Sequence, residues 1–218
     1  KEYGYDYIEL WGGRPHAYPY DLKAGDINEV RRLIDQYEMP VYGYTPEHNA
    51  YPFNYMIGSE AQREDAVAYL KTAIDMAKEM GSDFVLTSPA NGGYLATYGE
   101  LWTRLEKTIR ELGDYAAKKE IHLVVEALTP YESNFFTRAN DLVELFRRVD
   151  NPYVVGMCDV VPPFVQHESI MAYFDKLGSK MHHMHIIDGE QGTDSHIIPG
   201  EGSMPMKDCL LYTSDAAD

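Results

Sequence analysis

The chain has 218 residues, of which 44% are hydrophobic and 25% charged, as is typical of a globular protein with ample length for a core. Its 19 Lys and Arg against 35 Asp and Glu give a formal net charge of −16. This excess of negative charge repels nucleic acid and anionic membranes, so it argues against either as a partner attracted by the overall charge of the protein. No apolar run approaches the roughly 18 residues of a membrane span, and no secretory leader is recognisable. Cys158 and Cys209 form no obvious disulfide framework, so we expect a cytoplasmic setting.

Both ends of the chain are unusual. The chain starts at Lys1 without a methionine and enters a strand by Tyr7, so we expect further sequence upstream. Residues 209–218 (CLLYTSDAAD) read like a translated sequencing adapter, and we interpret them as a non-native tail. Residues 1–208 are then expected to form one domain, incomplete at its ends, because barrels of about this size form single domains.

Six strands, with a helix after each of the first five, are predicted along the chain from the spacing of apolar residues. Ser59 and Gln62 form a capping box at the start of the second helix, and Gly81 ends it. In chain order, the elements are a strand over 5–11, a helix over 27–37, a strand over 41–44, a helix over 59–80, a strand over 84–87, a helix over 101–116, a strand over 123–125, a helix over 142–149, a strand over 154–159, a helix over 170–177 and a strand over 182–188.

This alternation predicts a parallel sheet covered by helices. A doubly wound open sheet and a (β/α)8 barrel both fit it. Carboxylates and an imidazole follow several strands directly, which is how a barrel builds its active site. The GxGxxG and GxxxxGK[ST] patterns of nucleotide-binding folds do not occur in the sequence. We therefore predict an α/β protein with a (β/α)8 TIM-barrel fold, truncated at both ends so that the first and eighth strands are missing.

Three side chains at successive strand ends are candidate metal ligands. Glu126, Asp159 and His185 each close an apolar strand. One such residue alone is more often a helix cap or a loop anchor. Three in matching phase favour one divalent metal ion, and two carboxylates with an imidazole suit Mn, Co, Mg or Zn. Strand alternation places His183 and His185 on one face and His182 on the other.

Three longer motifs, residues 7–16 (YIELWGGRPH), 126–134 (EALTPYESN) and 196–202 (HIIPGEG), resemble the xylose-isomerase-like TIM-barrel family of sugar isomerases and epimerases. The resemblance implies that Glu126, Asp159 and His185 bind the metal together with a second glutamate on the missing eighth strand. It also implies that Glu126 and that second glutamate are the acid/base pair. They would invert C3 of a ketose or ketosamine, of the fructoselysine or psicoselysine type, through a cis-enediolate.

Five further residues are candidate substrate contacts. The resemblance places Glu132 where related epimerases have a substrate-binding glutamate, with a loop salt bridge as the alternative. Asp194 and His196 are interpreted as substrate-loop residues, and simple ordering of the loop is an equal alternative. His16 and Trp11 are weaker candidates for the pocket, since packing in a core is the commoner role of a tryptophan.

The same resemblance leaves rival functions open. Another isomerase or dehydratase of the family, of the hydroxypyruvate isomerase or inosose dehydratase type, is the first alternative. Asp194 and His196, followed by Gly200-Glu201-Gly202, also resemble the multi-zinc site of endonuclease IV, which makes a phosphodiesterase of that type the second alternative. The acidic net charge disfavours the DNA substrate that this function requires. The fragment alone is expected to be inactive, because one ligand and one base are absent. We expect a small sugar or sugar-amine as substrate, no nucleic acid and no membrane, with a homo-oligomer left open.

Overall fold

The computed structural model describes residues 2–207, and the interpreted tail at 209–218 lies outside them. Within that range the chain forms one parallel sheet of six strands, paired strictly in chain order. Sequential parallel pairing with a helical connection after each strand is the arrangement of a TIM barrel. The strands are β1 (Ile8–Gly12), β2 (Val41–Pro46), β3 (Phe84–Thr87), β4 (His122–Val125), β5 (Val154–Asp159) and β6 (Met181–His185).

The two longest helices begin at capping boxes. Ser59 Oγ accepts a hydrogen bond from the Gln62 amide, and Gln62 Oε1 accepts one from the Ser59 amide at 2.7 Å; Thr97 and Glu100 repeat the pattern. These bonds satisfy amide groups that a helix N-terminus otherwise leaves without partners. The helices are α1 (Pro19–Asp21), α2 (Ile27–Tyr37), α3 (Glu60–Met80), α4 (Tyr98–Lys119), α5 (Ala139–Val149), α6 (Val161–Val165) and α7 (Met171–Leu177), with a π-helical turn at Leu22–Asp26 and a 3-10 turn at Gly178–Lys180.

Apolar side chains fill both faces of the sheet. One face packs against the helices, where Leu70, Ile74 and Leu105 are fully buried. The other face forms a second cluster inside the curled sheet, made of Phe84, Leu86, Val124, Val155 and Met157, with Tyr42 against it. Side chains of a strand alternate between its two faces. Residues two positions beyond Val124 and Met157 therefore point into the interior of the barrel, at the C-terminal ends of their strands.

A β-bulge lies at His182, the first of the three histidines of β6. Gly156 pairs with Met181, whereas Met157 pairs with His183, so His182 is an extra residue opposite β5. As a result, His182 and His183 both contact the ring of Phe84, with ring centroids 5.9 and 4.7 Å away. The alternation expected from the sequence, with His182 on the face opposite His183, is wrong at this position because a bulge interrupts it.

Two further differences from the sequence-based elements are small. The first strand begins at Ile8, whose amide donates to Pro40 O, because Tyr5 has no strand partner in the described chain. The last strand ends at His185, and Ile187 lies beyond it. The strands predicted over 84–87 and 154–159 agree with the structure in full.

Candidate active site

The three candidate metal ligands lie at the C-terminal ends of adjacent strands. Asp159 and His185 are direct partners in the register between β5 and β6. Glu126 follows β4, and its amide donates to Thr87 O at 3.0 Å, which extends the pairing with β3 by one residue. Parallel strands end at the same edge of a sheet, so the three side chains meet there although about 30 residues separate them in sequence.

The ligand atoms of these side chains face one another. His185 Nδ1 lies 3.8 Å from Glu126 Oε1 and 3.7 Å from Asp159 Oδ2, and the three atoms lie within 4.8 Å of one another. Asp159 and Glu126 expose only 7% and 13% of their side chains. Two nearly buried carboxylates and an imidazole nitrogen form a donor set that fits a divalent cation.

The electrostatics of the cluster follow from this crowding. Burial, together with the neighbouring Asp159, raises the pKa of Glu126. Burial opposes ionisation of Asp159 as well, but His185 and His196 lower its pKa. Although burial lowers the pKa of His185, the carboxylates of Asp159 and Glu9 raise it to about 10. Without a bound metal, a protonated His185 therefore supplies the positive charge that the carboxylates require.

Glu9, on β1, is a site residue that the sequence interpretation missed. Its Oε2 atom lies 2.8 Å from His183 Nε2 and 3.0 Å from His185 Nε2, and Thr45 also donates to its carboxylate. Burial opposes ionisation, but the hydrogen bonds from His183 and His185 hold the pKa of Glu9 well below its usual range. Its place between Ile8 and Leu10, a carboxylate inside an apolar strand, was the available signal.

The contact with Glu9 orients His185, the candidate metal-ligand histidine. When His185 Nε2 donates to Glu9, its Nδ1 atom is directed at Glu126 and Asp159. Such a carboxylate behind a ligating imidazole is a common support of metal sites. A cavity of about 410 Å³ borders the cluster and is lined by Glu9, Asp159, His183, Met184, His185, Ile186, Ile187 and His196.

A buried carboxylate, that of Asp188, anchors the loop after β6. Asp188 accepts four hydrogen bonds from backbone amides. Burial alone would raise its pKa, but these four bonds lower it. The loop so anchored brings His196 Nε2 to 3.7 Å from Asp159 Oδ2. The amides belong to Gly189, Gly200, Gly202 and Met204.

Two of the expected substrate-binding residues, Glu132 and Asp194, contact the same hydroxyl group, that of Thr129. Thr129 Oγ1 lies 3.0 Å from Glu132 Oε2 and 2.6 Å from Asp194 Oδ1. Burial and the charge of Asp194 raise the pKa of Glu132. The pKa of His196 is raised to about 9, chiefly by its contact with Asp159. Glu132, Asp194 and His196 are thus brought to the edge of the metal-ligand cluster.

Trp11 and His16 lie apart from this cluster. Their rings contact each other with centroids 5.4 Å apart, and within residues 2–207 no hydrogen bond or ion pair joins either ring to the ligand set. His16 instead lines a separate apolar cavity of about 580 Å³ beside Leu10 and Val30. Their assignment to the substrate pocket stays a prediction without a contact that supports it.

Among residues 2–207, no helix has the length and apolar character required to cross a lipid bilayer.

Comparison of the sequence with models of protein families agrees with the barrel and with the cluster of side chains at its strand ends. The chain belongs to the xylose isomerase-like TIM-barrel family, whose model matches residues 1–211. The predicted fold and family are confirmed.

Comparison with individual proteins identifies a related enzyme and two proteins of similar fold. Over 209 residues the chain is 47% identical to fructoselysine 3-epimerase of Shigella flexneri, covering 96% of this chain and 76% of that protein. Its fold is similar to that of a D-tagatose 3-epimerase-like protein, with a TM-score of 0.83, 21% identity, and coverage of 99% of this chain and 80% of that one. The IOLI protein with a bound zinc atom gives a TM-score of 0.78 at 17% identity, covering 99% and 77%. The protein is a sugar epimerase.

Proposed function

We propose that the protein is a divalent-metal-dependent 3-epimerase of a ketosamine of the fructoselysine type. The observation that carries this proposal is the convergence of Glu126, Asp159 and His185 on one point at the C-terminal end of the barrel. The 47% identity to fructoselysine 3-epimerase supports the choice of substrate. The single domain over residues 1–208 is part of the same proposal.

Glu126, Asp159 and His185 are the residues that would hold the metal. The fit rests on the donor set itself, since Asp159 Oδ1 already accepts from the Val161 amide at 2.8 Å and leaves Oδ2 facing His185 and His196. A divalent cation at this point acts as a Lewis acid that stabilises negative charge on oxygen. Mn, Co, Mg and Zn all suit two carboxylates and one imidazole.

Glu126 is the proposed acid/base group. C3 of a ketose lies next to the C2 carbonyl, so removal of the C3 proton moves the electron pair onto the carbonyl oxygen and gives a cis-enediolate. The Glu126 carboxylate, buried against the apolar interior, is the group that takes up this proton. Delivery of a proton to the opposite face then inverts C3, and the resemblance assigns that second step to a further glutamate.

Glu9 and His183 act as positioning residues in this scheme. The hydrogen bonds from His183 and His185 lower the pKa of Glu9, so its carboxylate is ionised near neutral pH. An ionised group held in this way does not exchange a proton with substrate near neutral pH. Its role is to keep the Nδ1 atom of His185 directed at the other two ligands.

The acidic group beside the ligands favours a substrate with a positive charge. Glu132 and Asp194 share Thr129, and Tyr131 joins the same two loops by donating to Gly192 O at 2.7 Å. A ketosamine derived from lysine carries ammonium groups that a carboxylate pair attracts, whereas a plain ketohexose carries none. We infer that this pair binds the amine part of the substrate.

Product analysis over a panel of substrates tests the proposal. A full-length protein that carries the second glutamate, supplied with each of the four metals, is incubated with fructoselysine, D-fructose, hydroxypyruvate and an inosose, and products are identified by NMR. We expect conversion of fructoselysine to its C3 epimer, and loss of that activity in Glu126→Gln. Turnover of hydroxypyruvate or the inosose without epimerisation of fructoselysine would assign the protein to another reaction of the family.

A further inference from the structure

A second group of metal-ligating side chains lies at the opposite end of the barrel. Asp83 immediately precedes β3, His122 is the first residue of β4, and His182 is the second residue of β6. Each has one possible ligand atom within 4.8 Å of the others. This N-terminal triad shares no residue with the site described above.

The atoms of the N-terminal triad are spaced as a metal site requires. Asp83 Oδ2 lies 2.7 Å from His182 Nε2 and 3.5 Å from His122 Nδ1. Ligand atoms around a tetrahedral zinc ion, each about 2.0–2.1 Å from the metal, are about 3.3 Å apart. The observed separations lie on either side of that value, so small side-chain movements bring the three atoms into position.

A buried nitrogen of the N-terminal triad supports the same interpretation independently of the spacing. Within residues 2–207, Nδ1 of His122 is buried and has no hydrogen-bond partner. A buried polar atom without a partner is costly, and in native structures it commonly marks an ion or water that binds there. The atom faces Asp83 Oδ2 across the 3.5 Å gap, at the point toward which the other two ligand atoms also converge.

The protein holds the imidazoles in place through aromatic contacts and the bulge. The bulge of β6 brings His182 to Asp83, against the edge of Phe84. The ring of His122 is stacked on Tyr153 at 5.4 Å and lies 4.5 Å from the ring of His182. Side chains of the triad keep 21% to 38% of their surface exposed, so an ion has access from solvent.

We propose that Asp83, His122 and His182 form a second divalent-metal site, selective for zinc-like ions. Two imidazoles and one carboxylate leave the fourth position of a tetrahedral zinc ion open to water. Mg²⁺ prefers oxygen ligands and is disfavoured by the two imidazoles. A metal here joins β6 to β3 and β4, and because it binds only the folded chain, it stabilises the fold. This proposal is independent of the epimerase activity.

Metal content on a His185→Gln background tests the second site. His185 belongs to both possible ligand triads at the C-terminal end, so its replacement leaves the N-terminal triad as the remaining three-ligand set within residues 2–207. After equilibrium dialysis against Zn²⁺, we expect one equivalent of zinc per chain in this variant. Adding His182→Gln or Asp83→Asn is expected to weaken zinc binding more than about 100-fold. His167→Ala, which replaces a histidine that contacts Gln191 outside the N-terminal triad, is the matched control and keeps the metal.

A second readout separates loss of the site from loss of the fold. Co²⁺ bound to the His185→Gln variant should give the intense visible absorption of a tetrahedral site, and circular dichroism checks folding of every variant before metal is added. If the His185→Gln chain binds less than one equivalent of zinc, the proposal is overturned, whatever the triad variants do. Equal zinc binding in the folded His182→Gln and Asp83→Asn variants overturns it as well.

Discussion

The two ends of this barrel carry related side chains for different tasks. At the C-terminal end, Glu9, Glu126 and Asp159 surround His185, next to long loops such as residues 126–138 between β4 and α5. At the N-terminal end, one carboxylate meets two imidazoles beside turns as short as the two residues between α4 and β4. Long loops can adapt to an exchanging substrate, whereas short turns hold a fixed geometry. This difference supports the proposal that the chemistry takes place at the first end and that the second end holds a structural ion.

The largest effect is expected from Glu126→Gln. The change keeps the shape of the side chain but removes its ability to accept a proton, so kcat for epimerisation should fall by about 10³-fold. Because the substitution also removes one of two buried, repelling carboxylates, Tm should not fall. Steady-state kinetics and a thermal melt check both parts. Unchanged activity would show that Glu126 is not the acid/base group, and the proposed difference between the two ends of the barrel would then be wrong.

A smaller loss is expected from Glu9→Gln. Glutamine lacks the charge that holds His183 and His185, so the orientation of the ligand imidazole is weakened. Activity at subsaturating metal should fall about 10- to 100-fold, with partial recovery at high metal concentration. Glu64→Gln on the exposed surface of α3 is the matched control. A loss in kcat that metal does not relieve would instead place Glu9 in direct contact with substrate.

Asp188→Asn should release the loop at the C-terminal end alone. An amide oxygen and NH2 group cannot accept four backbone amide donors. Limited proteolysis between residues 188 and 204 should become several times faster, and the N-terminal triad should still bind zinc. Unchanged proteolysis would mean that the loop is held by contacts other than this carboxylate.

The same carboxylate gives the loop a defined pH dependence. The pKa of Asp188 is lower in the folded chain than in the unfolded one, despite burial, because of its amide hydrogen bonds. Its stabilising contribution is therefore complete above the unfolded pKa, about 3.9, and is lost as the pH falls through the lower folded value. Proteolysis of the loop by an acid protease should rise over that range in the parent protein and stay flat in Asp188→Asn.

The smallest effect concerns substrate charge. Asp194→Asn removes one charge of the pair on Thr129, and exposed ion pairs contribute up to about 1 kcal/mol. KM for fructoselysine should rise up to about fivefold, while KM for a neutral ketose should not change. Equal effects on both substrates would show that Asp194 orders the loop and does not bind the amine.

Local sequence patterns predicted much of the barrel, and tertiary contacts account for the rest. The capping box at Ser59 and the apolar run of β5 act within a few residues, so their consequences are visible in sequence. The carboxylates that end β4 and β5 were visible for the same reason. The bulge at His182 depends on pairing with β5, and the contact of Glu9 with His183 joins residues 174 positions apart. Neither follows from a local pattern.

The most direct test of the central assignment is isotope exchange at C3. Fructoselysine is incubated in D₂O with the metal-loaded full-length protein, which carries the second glutamate, and both the recovered substrate and its epimer are analysed by NMR. We expect deuterium at C3 of the epimer and no incorporation with Glu126→Gln, since the proton is exchanged through a side chain of the C-terminal end. Inversion of C3 without deuterium from the solvent would contradict the assignment.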